Sequence, residues 1–187
     1  FAALTATGQP KFHEGIGPLI AGFRYAPFND LEAVEALIDD ATCAILVEPI
    51  QGEGGVNLPD DHFLAGLRDL ADDNNCLLIF DEVITAFGRL GAATAAERFK
   101  VTPDLITMAK AINNAAVPMG AVAVRREVHD TVVNAAAPGA IEFLHGYTYS
   151  GHPLAMAAAI ATLDIYKNEN LFGRAAELAP KFEAAVH

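Results

Sequence analysis

The sequence predicts an α/β fold: a mixed, mostly parallel sheet with helices on both faces. Three observations point there. Apolar runs of four to eight residues alternate with helical patterns along 187 residues. A hydrophobic share of 52% supplies material for a sizeable core. Glycines, an acid and an amine follow the ends of successive apolar runs, where open α/β sheets place their ligand-binding loops.

In chain order, Asn29-Asp30 is a helix start before LEAVEALI, whose apolar residues recur at helical spacing. TCAILVEP reads as a strand, and the glycine cluster QGEGGV, Gln51 to Val56, follows it directly. Pro59-Asp60-Asp61 offers caps for a helix over HFLAGLRDL. CLLIFDEV, Cys76 to Val83, is a second strand ending on two carboxylates, and PDLITMAK is a third that closes on Lys110. MGAVAV is a fourth strand. The segment REVHDTVVNAAAPGAIEF is mixed, with a loop at Pro138-Gly139. HGYTYSGHP then leads into LAMAAAIATLDIYKN, which has the composition of a long packed helix. A final amphipathic helix is expected from about Leu171 to the end. No domain boundary is visible before about Asn168, so residues 1–168 read as one domain and 169–187 as the start of a second, smaller one.

Twelve basic and twenty-four acidic residues give a formal charge of −12 without a Lys/Arg cluster, which argues against nucleic acid and anionic membranes as partners. Cys43 and Cys76 both lie in apolar runs and are expected to be buried thiols in a reducing compartment, the cytoplasm. No run is long enough for a membrane helix, and the amino terminus lacks a basic start followed by an apolar stretch. The chain starts at Phe1 rather than at Met, and is expected to be part of a longer protein.

In a strand, residues two apart share a face, so Asp81 and Val83 are expected to point one way and Glu82 the other, as a structural partner. A carboxylate that keeps a pyridine nitrogen protonated, beside an apolar group that packs on the ring, suits pyridoxal phosphate. A loop cap or a metal ligand is the other, commoner use of an acid at a strand end. Lys110, after an apolar strand, is unusual for a side chain that normally stays in water. A partly buried amine loses its proton more readily, which frees the form that attacks an aldehyde. A lysine that has simply reached the surface is the other reading. The loop from His145 to Pro153 groups hydroxyls and backbone donors before a helix, suited to a phosphate or to plain capping. The histidines and cysteines lack zinc-ligand spacing, and the glycines do not form GxGxxG.

Taken together, EPIQGEGG, LLIFDEVITAFGR, PDLITMAK and HGYTYSGHPLAMAAA resemble, in order and spacing, the class III aminotransferases, pyridoxal 5'-phosphate enzymes of fold type I. The resemblance covers nearly all of the chain. It implies that residues 1–168 are part of the cofactor-binding large domain and 169–187 the start of the C-terminal small domain. It makes Lys110 the lysine that holds the cofactor covalently, Asp81 the partner of its ring nitrogen and Val83 a ring-packing residue. Thr148 would bind the phosphate, usually that of the neighbouring subunit, which implies a homodimer with shared active sites.

Substrate signals are divided. The opening segment and EPIQGEGG look like acetylornithine, ornithine and 4-aminobutyrate aminotransferases, in which the residue matching Glu53 pairs with an arginine on the substrate side. DEVITAFGR, AKAINNAAVPMGAV and EFLHGYTYSGHP look like ω-amino acid:pyruvate aminotransferases, and Ile84 stands where the first group has glutamine beside the ring hydroxyl. The implied reaction moves an amino group from an ω-amino acid or amine to pyruvate or 2-oxoglutarate by a ping-pong route. A mutase or racemase on the same cofactor, and a truncated domain that folds without catalysing, are the readings from other classes. Ala86, Leu90 and Ala111 depart from the family's glycine, threonine and glycine, and would be strained at positive φ. Family members are more than twice this length, and their upstream phosphate loop, ring-stacking aromatic and downstream substrate arginine are absent from this chain.

Overall fold

A computed structural model describes residues 1–186 as two compact units, Phe1–Leu78 and Ile79 onward. The helix expected to the end of the chain is described to Val186, and His187 lies outside the described residues.

In the first unit, helix α1 spans Ala2–Ala6 and α2 spans Leu31–Glu35. Asp30 caps α2 as its sequence predicts, its carboxylate accepting from the amide of Ala33. Strand β1, Ala44–Val47, follows, and α3 spans Phe63–Asp73. The cap of α3 corrects the expectation: His62, not Asp60 or Asp61, is the N-cap, and no side chain bonds there. Phe63, Leu64, Leu67 and Ala71, at helical spacing, form the buried stripe of α3. Gly66 on this helix packs against Leu31 of α2, whose side chain would have to shift to admit a Cβ there. Strand β2, Leu77–Asp81, begins in this unit, where the Leu77 amide donates to the Cys43 carbonyl at 2.9 Å. Of the two cysteines only Cys76 is buried. Cys43 is exposed because it sits just before β1, outside the packed part of its apolar run.

The rest of β2 belongs to the second unit, with α4 (Ala95–Phe99), β3 (Leu105–Met108), β4 (Ala121–Val124), α5 (Arg126–Asn134), α6 (Pro153–Asn168) and α7 (Leu171–Val186). Strands β2 and β3 are parallel, in the register Ile79 to Leu105, Phe80 to Ile106 and Asp81 to Thr107. Strand β4 runs antiparallel to β3, so the sheet is mixed. Helix α6 forms where its alanines predict, but only Ala155 and Ala159 on it are buried, while Leu154, Ile160, Leu163 and Ile165 are exposed. The core of the chain is accordingly smaller than its composition suggests.

Candidate active site

Strand β2 ends at Asp81, two residues before the sequence pattern does, because the chain turns from Val83 onward. Val83 is therefore not a strand residue sharing a face with Asp81. Its amide instead donates to Asp81 Oδ1 at 3.0 Å, and this bond orients the carboxylate at the strand end. Ile84 follows, half-buried, in the same turn.

Glu82 has the structural role its sequence position predicts. It is fully buried and accepts from the amides of Ala95 and Ala96, the latter at 2.9 Å, and from the Thr85 hydroxyl at 3.1 Å. An anion at a helix amino terminus satisfies orphan amides and meets the positive end of the helix dipole. With the Glu82 amide bonded to the Thr107 carbonyl at 2.9 Å, the turn after Asp81 is fixed to both β3 and α4.

Lys110 opens a 3-10 turn, Lys110–Ile112, directly after β3. Because Asp81 is the register partner of Thr107 on a parallel strand, the acid and the amine stand at the same, carboxyl, ends of adjacent strands. This is where open α/β sheets bind ligands. Lys110 is exposed rather than partly buried. Its backbone is left-handed, φ 44, a conformation that costs a non-glycine residue about 1–3 kcal/mol and persists where surrounding bonds dictate it. Those bonds are present: Ala115 N to Lys110 O at 3.1 Å, Asn113 Nδ2 to Val117 O at 2.6 Å, and Tyr166 Oη to Ala111 O at 2.7 Å. The positions flagged as strained, Ala86, Leu90 and Ala111, do not adopt positive φ; their neighbours Phe87 and Lys110 do.

Two candidates remain. Thr148 is exposed in the turn before α6, and no described contact joins it to Asp81 or Lys110. Glu53 belongs to the first unit, in a glycine loop pinned by the Gly52 amide on Glu48 at 3.0 Å and by mutual backbone bonds of Gln51 and Asn57. Gln9 Nε2 at 2.7 Å and Lys11 Nζ at 3.3 Å donate to Glu53, and in that order hold its carboxyl below the usual value.

Pyridoxal phosphate fits the donor set of the second unit: a carboxylate for a ring N–H, an amine for an aldehyde, and a further polar group beside the acid. That group is Thr107, which the sequence reading passed over. Register places its side chain on the same face as Asp81, and its Oγ1 is buried without a hydrogen bond among the described residues. A threonine in an otherwise apolar strand, in step with an acid on the next, was the available signal.

The mixed, mostly parallel α/β sheet is that of the fold type I aminotransferases. The aminotransferase class III family matches residues 1–186, and the chain belongs to that family. It is 55% identical over 145 residues to a beta-alanine–pyruvate aminotransferase of Pseudomonas aeruginosa, covering 77% of this chain and 32% of that protein. It is 45% identical over 162 residues to an acetylornithine aminotransferase of Methanocaldococcus jannaschii, covering 87% and 38%. The ornithine aminotransferase of Toxoplasma gondii, solved with partial occupancy of pyridoxal phosphate at its active site, superposes with a TM-score of 0.87 at 36% identity, over 99% of this chain and 42% of that one. The chain thus spans less than half the length of these relatives. No helix among the described residues is long and apolar enough to cross a membrane.

Proposed function

We propose that this chain is the part of a pyridoxal-phosphate-dependent transaminase that carries the cofactor's acid and lysine, acting on an ω-amino acid or amine with pyruvate or 2-oxoglutarate as acceptor. The placement of Asp81 and Lys110 at the carboxyl ends of adjacent parallel strands is the observation that carries it. When bound, the cofactor supplies an electron sink for the pair released at the substrate carbon. Asp81, oriented by Val83 N, holds the proton on the ring nitrogen, which keeps that sink effective. Lys110 would hold the cofactor through its Nζ and would move a proton at the substrate carbon. Val83 and Ile84 offer apolar surface to the ring.

In the complete protein Thr148 receives a phosphate across a homodimer, residues 1–168 belong to the large domain, and 169–187 begin the small one. The composition and the unpaired thiols support a cytoplasmic setting.

An acetylornithine, ornithine or 4-aminobutyrate type is the second reading. Glu53, a carboxylate already engaged by a cation in its glycine loop, favours it. Half-reactions with pyruvate and with 2-oxoglutarate separate the two. Borohydride trapping of a visible chromophore, lost in Lys110→Ala, tests the whole assignment, and a purified protein with no trappable chromophore would refute it.

A further inference from the structure

Two aromatic residues outside the strand ends touch both halves of the candidate site. Tyr166, late in α6, donates its hydroxyl to the carbonyl of Ala111, the residue after Lys110, at 2.7 Å. Among the described residues it is the one side chain from a distant part of the chain hydrogen-bonded to the Lys110–Ile112 turn. The ring of Tyr166 packs against that of Phe172 in α7, with centroids 5.5 Å apart and planes tilted by 45°. Phe172 in turn lies directly against Gly88, in the turn that follows Asp81. Gly88 has φ +90, and a Cβ there would collide with the Phe172 ring. Both aromatic side chains are half-buried.

This deepens the transaminase reading and rests on it: we infer that Tyr166 and Phe172 are positioning residues, an aromatic clamp that sets the Lys110 turn against the turn after Asp81. Three physical points carry the inference. The left-handed backbone at Lys110 reverts to an ordinary conformation unless external bonds hold it, and Tyr166 supplies the bond from outside the loop. A one-residue change of backbone region swings a lysine amine by several ångströms, enough to remove it from bonding distance of an aldehyde. The glycine at 88 lets the second aromatic approach the backbone itself, so the clamp grips main chain at both ends.

Lys110 acts chemically when its neutral amine adds to the aldehyde carbon of pyridoxal phosphate. A carbon–nitrogen double bond forms, and the aldehyde oxygen leaves as water with both amine hydrogens. Pyridoxamine 5'-phosphate has an amine in place of that aldehyde and binds without this bond. A residue that positions the lysine therefore affects the first compound and spares the second. One that merely supports the fold affects both alike.

The test is titration of the apo form of the full-length protein with each compound, followed by intrinsic fluorescence, for wild type, Tyr166→Phe and Lys110→Ala. Tyr166→Phe removes one hydroxyl, and is expected to weaken pyridoxal phosphate about tenfold while leaving pyridoxamine phosphate within about twofold. Lys110→Ala should show the same selectivity, larger. Equal losses for both compounds, or no loss, overturn the clamp. Should Tyr166→Phe not fold, Phe172→Leu enters the same comparison with the same expected selectivity. If wild type binds neither compound, the transaminase reading falls and the clamp with it; if wild type is trapped by borohydride while Tyr166→Phe matches it in both titrations, only the clamp falls.

Discussion

The carboxylate of Glu82, fully buried, accepts the amide of Ala96 at 2.9 Å and so ties the turn after Asp81 to the first turn of α4. Removing such a group leaves buried amides without partners. Glu82→Ala is expected to destabilise the protein by about 3 kcal/mol, and Glu82→Gln by less, since an amide oxygen still accepts. Urea denaturation checks this. A loss under about 1 kcal/mol for Glu82→Ala would show the buried carboxylate to be unimportant.

Lys110→Ala is expected to abolish the trappable adduct while leaving the melting temperature of the apo form unchanged, because the side chain is exposed and no packing is lost. Mass spectrometry after borohydride reduction gives the answer. An adduct retained in the variant would place the covalent bond elsewhere.

Asp81→Asn should keep cofactor binding while lowering turnover by about a hundredfold or more, because a neutral amide does not hold the ring proton. Steady-state rates beside a binding titration decide it. Unchanged turnover would end the electron-sink role.

Thr107→Val replaces a buried hydroxyl, unpartnered among the described residues, by a methyl of like size. If that hydroxyl serves only the empty fold, the variant is neutral or slightly more stable. If it serves the cofactor face beside Asp81, pyridoxal phosphate binds several-fold more weakly and Thr107→Ser restores it. The second outcome is expected, and calorimetric titration distinguishes the two.

Arg24 pairs with Asp39 at 2.8 Å, and this bond, with those from Ala41 and Thr42, holds the Asp39 carboxyl well below the usual range. A group depressed in the folded state contributes stability above its unfolded value that is lost as pH falls through the folded one. The melting temperatures of wild type and Asp39→Asn should therefore differ most at neutral pH and converge in strong acid. A difference that is constant with pH would mean that charge is not the cause. Both side chains are largely exposed, so added salt should shrink the gap.

Local patterns were legible in the sequence where the physics is local. Asp30 as a cap, the alternation that yields β1 to β4, and Glu82 as a structural acid follow from residue type and neighbours. The end of β2 was not, because alternation over CLLIFDEV continues after the hydrogen-bonded ladder has stopped at Asp81. The exposure of Cys43 depends on where β1 begins relative to an apolar run, which hydropathy does not specify. Thr107 beside Asp81 is a register fact, and Tyr166 on Ala111 spans 55 residues; both require knowing which segments meet in space.

Strand β4 pairs with β3 on one side, and Val122 and Val124 on it are exposed. As the last strand of the sheet, β4 offers a backbone edge that can template another extended chain, so preparations of this segment by itself should self-associate through it and precipitate as concentration rises. Lysines placed at those two valines are the natural safeguard for handling it.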